Sequence, residues 1–122
     1  MSLPSISEFK PSDITTDTDL LESLITQINK DLNMFGITIN SEIDKKKAYE
    51  QLLKEISQNI EYLLKTDAGK VVAILYRVDI SEKELLVAGV DLTNYSHPEI
   101  VAHSIIKREF KKVLLRKYYK GA

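Results

Sequence analysis

The chain has 122 residues, 43% of them apolar and 29% charged, which is the size and composition of one globular domain with a single hydrophobic core. No cysteine is present, so disulfides, thiolate metal sites and thiol nucleophiles are excluded. A net charge of −1 provides no whole-molecule field to draw in nucleic acid or an anionic membrane.

Residues 1–16 contain Pro4, Pro11 and several Ser and Thr without periodicity, and are expected to form a flexible N-terminal arm. They lack the basic start and apolar stretch of a signal peptide, and no run in the chain is long and apolar enough for a membrane span. A cytoplasmic location with no membrane partner is the expectation. Residues 17–122 are expected to form one helical domain. Its first helix opens at Thr18 or Asp19, with Glu22 spaced for a capping box on Asp19, and ends at Gly36. Leu21, Leu24, Ile25, Ile28 and Leu32 give it one apolar stripe. The tether Ile37-Thr38-Ile39-Asn40 leads to Asn40 or Ser41, either of which can cap a second helix.

The second helix has the clearest pattern. Tyr49, Leu52, Leu53, Ile56, Ile60, Leu63 and Leu64 recur at helical spacing, and Gly69 is expected to stop it. The next stretch, KVVAILYRVDI, fits a strand or a helix by periodicity alone. A helix is predicted, because a lone strand leaves its backbone groups unpaired and the flanking elements are helices joined by short loops. That helix should end near Asp79. Ser81 and Glu84 are spaced as a capping box, with Ile80 and Leu85 as its hydrophobic staple, so a further short helix should run to Gly89. VDLTNY is expected to be a loop. Ser96, Pro98 and Glu99 then open the last helix, from residue 97 to about 119. The predicted fold is all-α, a small bundle of about five helices, two of them short. Its predicted core is Leu24, Ile25, Ile28, Leu32, Leu52, Leu53, Ile56, Ile60, Leu63, Leu64, Ile74, Leu75, Val78, Ile106, Phe110, Val113 and Leu114.

Residues 1–66 carry eleven acids and seven bases, and residues 67–122 carry seven acids and ten bases. Most of the basic excess lies in KREFKKVLLRKYYK, with seven bases and one acid. Ala102, Ile106, Phe110, Val113 and Leu114 share one face of this helix. Val101, Ile105, Leu115 and Tyr119 form a second apolar line, interrupted by Arg108 and Lys112. Cations near a helix C-terminus are favoured by the helix dipole alone. Two apolar lines also fit packing on two sides, which makes Lys111, Lys112, Leu115, Arg116 and Tyr119 a candidate interaction surface. The alternative is a nucleic-acid surface, with Tyr118 and Tyr119 stacking on bases.

Glu99 and His103 have a spacing that could hold a metal, but two ligands without a third are weak grounds, and neither a metal nor another cofactor is expected. The chain has no GxSxG motif, no glycine-rich phosphate loop among its four glycines and no visible carboxylate pair, so no catalytic residue is assigned and an enzyme is not expected. Arg77 and Asp79 stand at the end of a buried run, and an ion there is tolerable only when paired. Asp79 or Glu82 is therefore expected to pair with Arg108 or Lys112, as a clamp between the short helices and the last one.

Leu75-Tyr76-Arg77 is also the tripeptide of small helical proteins linked to mitochondrial iron–sulfur and respiratory-complex assembly, with Phe110 in about the place of a downstream phenylalanine. In that family the tripeptide lies near the N-terminus and precedes a basic run. Here it follows two long helices and precedes VDISEKE, so that family is set aside. A second resemblance covers about the last fifty residues. Leu75 to Ile80, Glu82, and Arg108, Glu109, Lys112, Val113 and Arg116 resemble a group of small uncharacterised bacterial proteins. The resemblance implies an all-helical fold and no assigned activity. The expected role is a protein-interaction module, with an unidentified protein or a second copy as partner.

Overall fold

A computed structural model describes residues 9–15, 18–40 and 42–118. They form an all-α bundle of five helices, α1 (Thr18–Leu32), α2 (Ala48–Thr66), α3 (Ala68–Val78), α4 (Glu82–Asp91) and α5 (His97–Tyr118), and contain no strand. The two short helices are α3 and α4.

The apolar stripes become the core. Leu21, Leu24, Ile25, Ile28 and Leu32 of α1 are all buried, as are Tyr49, Leu52, Ile56, Ile60 and Leu63 of α2. Val71, Ile74 and Val78 line the inner face of α3, so the ambiguous stretch is a helix. Leu53, Leu64 and Leu75 of the predicted core are only partly buried and pack against its edge. α5 runs through the middle and touches the other four helices. Val101 and Ile105 are consequently buried along with Ala102, Ile106, Phe110, Val113 and Leu114. The second apolar line of α5 is thus absorbed within the bundle over its first half.

Several boundaries differ from expectation. Residues 9–15, expected in a flexible arm, pack on the bundle: Pro11–Thr15 make a tight helical turn, Ile14 is fully buried and Phe9 lies against the core. One large apolar side chain that fills a gap between α1 and α2 is enough to hold this turn. The remainder of that arm lies outside the described residues. Gly36 ends the first helical run as expected, in the left-handed conformation with φ +81°. The tether that follows alternates, with Ile37 and Ile39 buried and Thr38 and Asn40 exposed. Asn29 stands in for a neighbouring strand: its side chain accepts from the Ile39 N–H at 2.6 Å and donates to the Ile39 carbonyl at 3.3 Å.

Asn40 does not cap α2. Its side chain accepts from the Glu42 N–H in a local turn, and Asp44 caps the tight turn Lys45–Lys47 that precedes the helix. Ser41 lies outside the described residues. Gly69 does not stop α2 either. The chain breaks at Asp67, whose N–H bonds to the Leu63 carbonyl, and Gly69 is already inside α3, because Val71 must turn back onto the core at once.

α3 ends in a Schellman motif. The Ile80 N–H reaches the Leu75 carbonyl, the Asp79 N–H reaches that of Tyr76, and Asp79 takes φ +72°. Ser81 and Glu84 close the expected capping box, with Ile80 buried and Leu85 packed against the core. α4 runs two residues beyond Gly89, to Asp91, so Val90 and Asp91 belong to the helix and not to the loop. Ser96 and Glu99 close the box that opens α5.

Ile14→Ala should destabilise the fold by about 2–5 kcal/mol, the cost of emptying a fully buried isoleucine site. Urea unfolding measures this, and a near-neutral result would show that residues 9–15 are not held.

Candidate functional site

Three features could carry function: a buried polar centre, a tyrosine–histidine chain, and an apolar groove on the surface.

The polar centre joins α1, α3 and α5. Asp31 is buried one turn beyond Ile28, on the core side of α1. Its Oδ2 accepts from Lys112 Nζ at 2.9 Å and from the Gln27 amide at 3.0 Å. Its Oδ1 lies 3.4 Å from Arg77 Nε. Glu109, fully buried, accepts from the same Lys112 Nζ at 3.1 Å. Arg116 donates to the Gln27 side-chain oxygen. Burial pushes the Asp31 carboxyl up, but hydrogen bonds from Lys112, Glu109 and Gln27 outweigh it and hold the group below its usual range. Burial also pushes Glu109 up, the hydrogen bond with Asp31 adds to it, and its carboxyl reaches about 7. The surroundings thus favour the charged form of Asp31 and the protonated form of Glu109.

The second feature lies between α2 and α5. The Tyr49 hydroxyl is 2.8 Å from that of Tyr95 and 2.6 Å from His103 Nδ1. With Tyr95 donating to Tyr49 and Tyr49 donating to Nδ1, the three groups form one continuous hydrogen-bonded run. Phe9 and Phe110 continue the cluster, with Phe9 edge-on to both His103 and Phe110 at 5.6 and 5.7 Å between ring centres. Burial and the nearby Lys107 push His103 down to about 4, so it is a neutral acceptor. Burial and the Tyr95 hydroxyl push the Tyr49 hydroxyl upward. Glu99 and His103, spaced to share a metal, therefore serve other partners: Glu99 accepts from the Ser96 N–H at 2.8 Å and closes the cap. Its carboxyl is lowered by that backbone hydrogen bond.

The third feature is a groove of about 330 Å³ lined by Val72, Leu75, Tyr76, Ile80, Ser81 and Glu82. Val72 and Tyr76 are 54% and 84% exposed, far beyond what a packed face would leave. Glu82, Leu86 and Val90 follow at i, i+4 spacing along α4, and Leu86 and Val90 are also exposed, so the apolar surface continues past the groove.

The predicted clamp is found in part. Arg108 Nη2 does meet Asp79 Oδ2, at 2.6 Å, but the Asp79 side chain is 77% exposed, so this is a surface pair. Lys112 pairs with Asp31 and Glu109 instead of Asp79 or Glu82, and Arg77 turns to Asp31. Glu82 is exposed and forms no ion pair among the described residues. The left-handed turn at Asp79 carries α4 outward, which leaves the inward place to residues of α1. The candidate interaction surface on α5 is also divided. Lys112 is half-buried and bound to Asp31 and Glu109, Arg116 is exposed but bonded to Gln27, Lys111 is half-buried, Leu115 is exposed, and Tyr119 lies outside the described residues.

Asp31 and Gln27 were not singled out from the sequence, and Glu109 only as part of a resemblance, although a signal was there. Gln27 and Asp31 sit at i+3 and i+7 from Leu24, and Glu109 sits between Ile106 and Val113 on the core face of α5. Among the described residues no group of three or more His, Asp or Glu could hold a metal ion, and no helix is long and apolar enough to cross a membrane. Comparison with family models, curated proteins and solved structures found no match to this chain.

Asp31→Ala, which strands Lys112 and Arg77, should cost about 3–5 kcal/mol. Asp79→Ala should cost about 1–2 kcal/mol, chiefly from placing alanine in a left-handed turn, and Asp79→Gly less than about 1. Parallel urea titrations of the three variants check the order.

A pH effect follows from His103. Its folded value lies below its ordinary 6.5, so the unfolded chain takes up the proton first and the stability this group contributes falls as pH drops from 6.5 toward 4. His103→Phe should remove that contribution, so the unfolding midpoint of the variant should lose less than the wild type between about pH 6.5 and about pH 4.

Proposed function

We propose that the chain is a small cytoplasmic protein-interaction module, not an enzyme, and that it self-associates through the exposed face of α3 and α4. One observation carries this reading: Val72 and Tyr76 border a groove whose apolar surface runs on to Leu86 and Val90, all of them exposed. Contiguous apolar surface of this kind marks interfaces in soluble proteins. The occupant we infer is a second copy. Glu82 and Lys83, both exposed at the start of α4, flank the face with charges of both signs, which a two-fold pairing can set against each other. The net charge of −1 gives two copies no long-range repulsion.

Nucleic-acid binding through α5 remains the alternative. It has less support, because Arg108, Lys112 and Arg116 serve contacts within the bundle.

Sedimentation equilibrium over a wide concentration range should give a dimer for the wild type. Tyr76→Glu and Leu86→Glu change exposed side chains and should return a folded monomer. A wild type that stays monomeric throughout would overturn the second-copy reading. Salt-dependent binding of labelled RNA or DNA at low ionic strength would favour the alternative.

A further inference from the structure

Glu109 is fully buried, and its two oxygens are treated unequally. Oε1 meets Lys112 Nζ, whereas Oε2 is shut off from solvent with no hydrogen-bond partner. The ammonium it meets is already bound to Asp31, which is buried as well. Two buried carboxylates therefore share one half-buried cation. Like charges so placed resist joint ionisation, because the interior neither solvates nor screens the second one.

The surroundings of Glu109 supply little to offset a second negative charge. On α5 itself, Lys112 is shared and Arg108 turns away to Asp79. From α1 come Asp31, also an acid, and Gln27, which is bonded to Asp31 and Arg116. From α3 comes Arg77, which approaches Asp31. Among the described residues, α2 and α4 place no ionisable group in hydrogen-bond or ion-pair contact with Glu109.

We propose that Asp31, Glu109 and Lys112 form a proton-operated lock between α1 and α5. The lock is closed while Glu109 is protonated and Lys112 answers the single charge of Asp31, and it loosens when that proton passes to solvent and leaves two carboxylates on one ammonium. No other bond is made or broken. Burial and the hydrogen bond with Asp31 raise the Glu109 carboxyl to about 7, which puts the change in the neutral range. The sign follows from linkage. The folded value lies above the ordinary 4.5, so the folded protein keeps a proton that the unfolded chain has released, and the stability this group contributes falls as pH rises from 4.5 to about 7, opposite in sign to the contribution of His103. Glutamine at position 109 has the shape of the protonated acid and cannot ionise, so Glu109→Gln should hold the lock closed at every pH.

Carbon-13 NMR of the carboxyl groups in the full chain reads the proton, with Glu109→Gln assigning the resonance. Amide exchange, corrected for its intrinsic pH dependence, reads the lock. Glu109 should titrate near 7, and exchange around residues 27–31 should quicken by about tenfold between about pH 6 and about pH 8 in the wild type but not in Glu109→Gln. A midpoint near 4.5, or wild-type protection that does not change with pH, would overturn the proposal. Asp31→Asn gives a second assignment should Glu109→Gln fail to fold, and the wild-type titration and exchange decide the matter by themselves.

Discussion

Lys112 reaches from α5 to the buried Asp31 of α1, and the arrangement of the bundle depends on that contact. Asp31 is more than a partner for one lysine. It also takes the Gln27 amide and faces Arg77, so a single buried carboxylate ties α1 to both α3 and α5. Charges removed from water are tolerated when each is paired and hydrogen-bonded, and they penalise every packing that separates them. The stripes of the five helices favour burial in general. The Asp31 centre favours one rotation of α1 and α5 about their axes, because any other would strand a charge.

The position of α5 explains its composition. A helix touched by four others cannot keep a single apolar stripe with a clean polar face. It must be apolar on several sides, and its bases must find acceptors on its neighbours. Arg108 meets Asp79 at the end of α3, Lys112 meets Asp31, and Arg116 meets Gln27. The uneven charge of the two halves of the chain has a structural role here, since an acid from the first half answers a base from the second. The same use of cations removes much of the basic surface that a nucleic acid would need.

α3 and α4 are placed differently. α4 has no fully buried residue and lies against the N-terminal half of α5, while Val72 and Tyr76 of α3 point away from the core. Arg77 belongs to both regions, adjacent to Tyr76 in sequence and facing Asp31 within the bundle. The exposed apolar face thus rests on a helix that is fastened from behind by the polar centre. A rigid support of this kind keeps a binding face in shape without ordering costs at the moment of association.

The sequence by itself determined the helices, their apolar faces and the capping boxes at Ser81 and Ser96, because each of these rests on residues within four positions of one another. It also showed that charges at the end of α3 and on α5 would need partners. Only the tertiary structure decided which. Asp79, nearest in sequence to the apolar run, is turned out to solvent by its left-handed conformation, and Asp31, eighty-one residues from Lys112, takes the buried place. Ile14, in a segment with no periodicity, joins the core for the same reason: burial is settled by which surfaces meet, and a lone residue carries no pattern that announces it. Local spacing encodes what a segment will be, whereas pairing across the bundle depends on the rotation and approach of whole helices, which no short window of sequence contains.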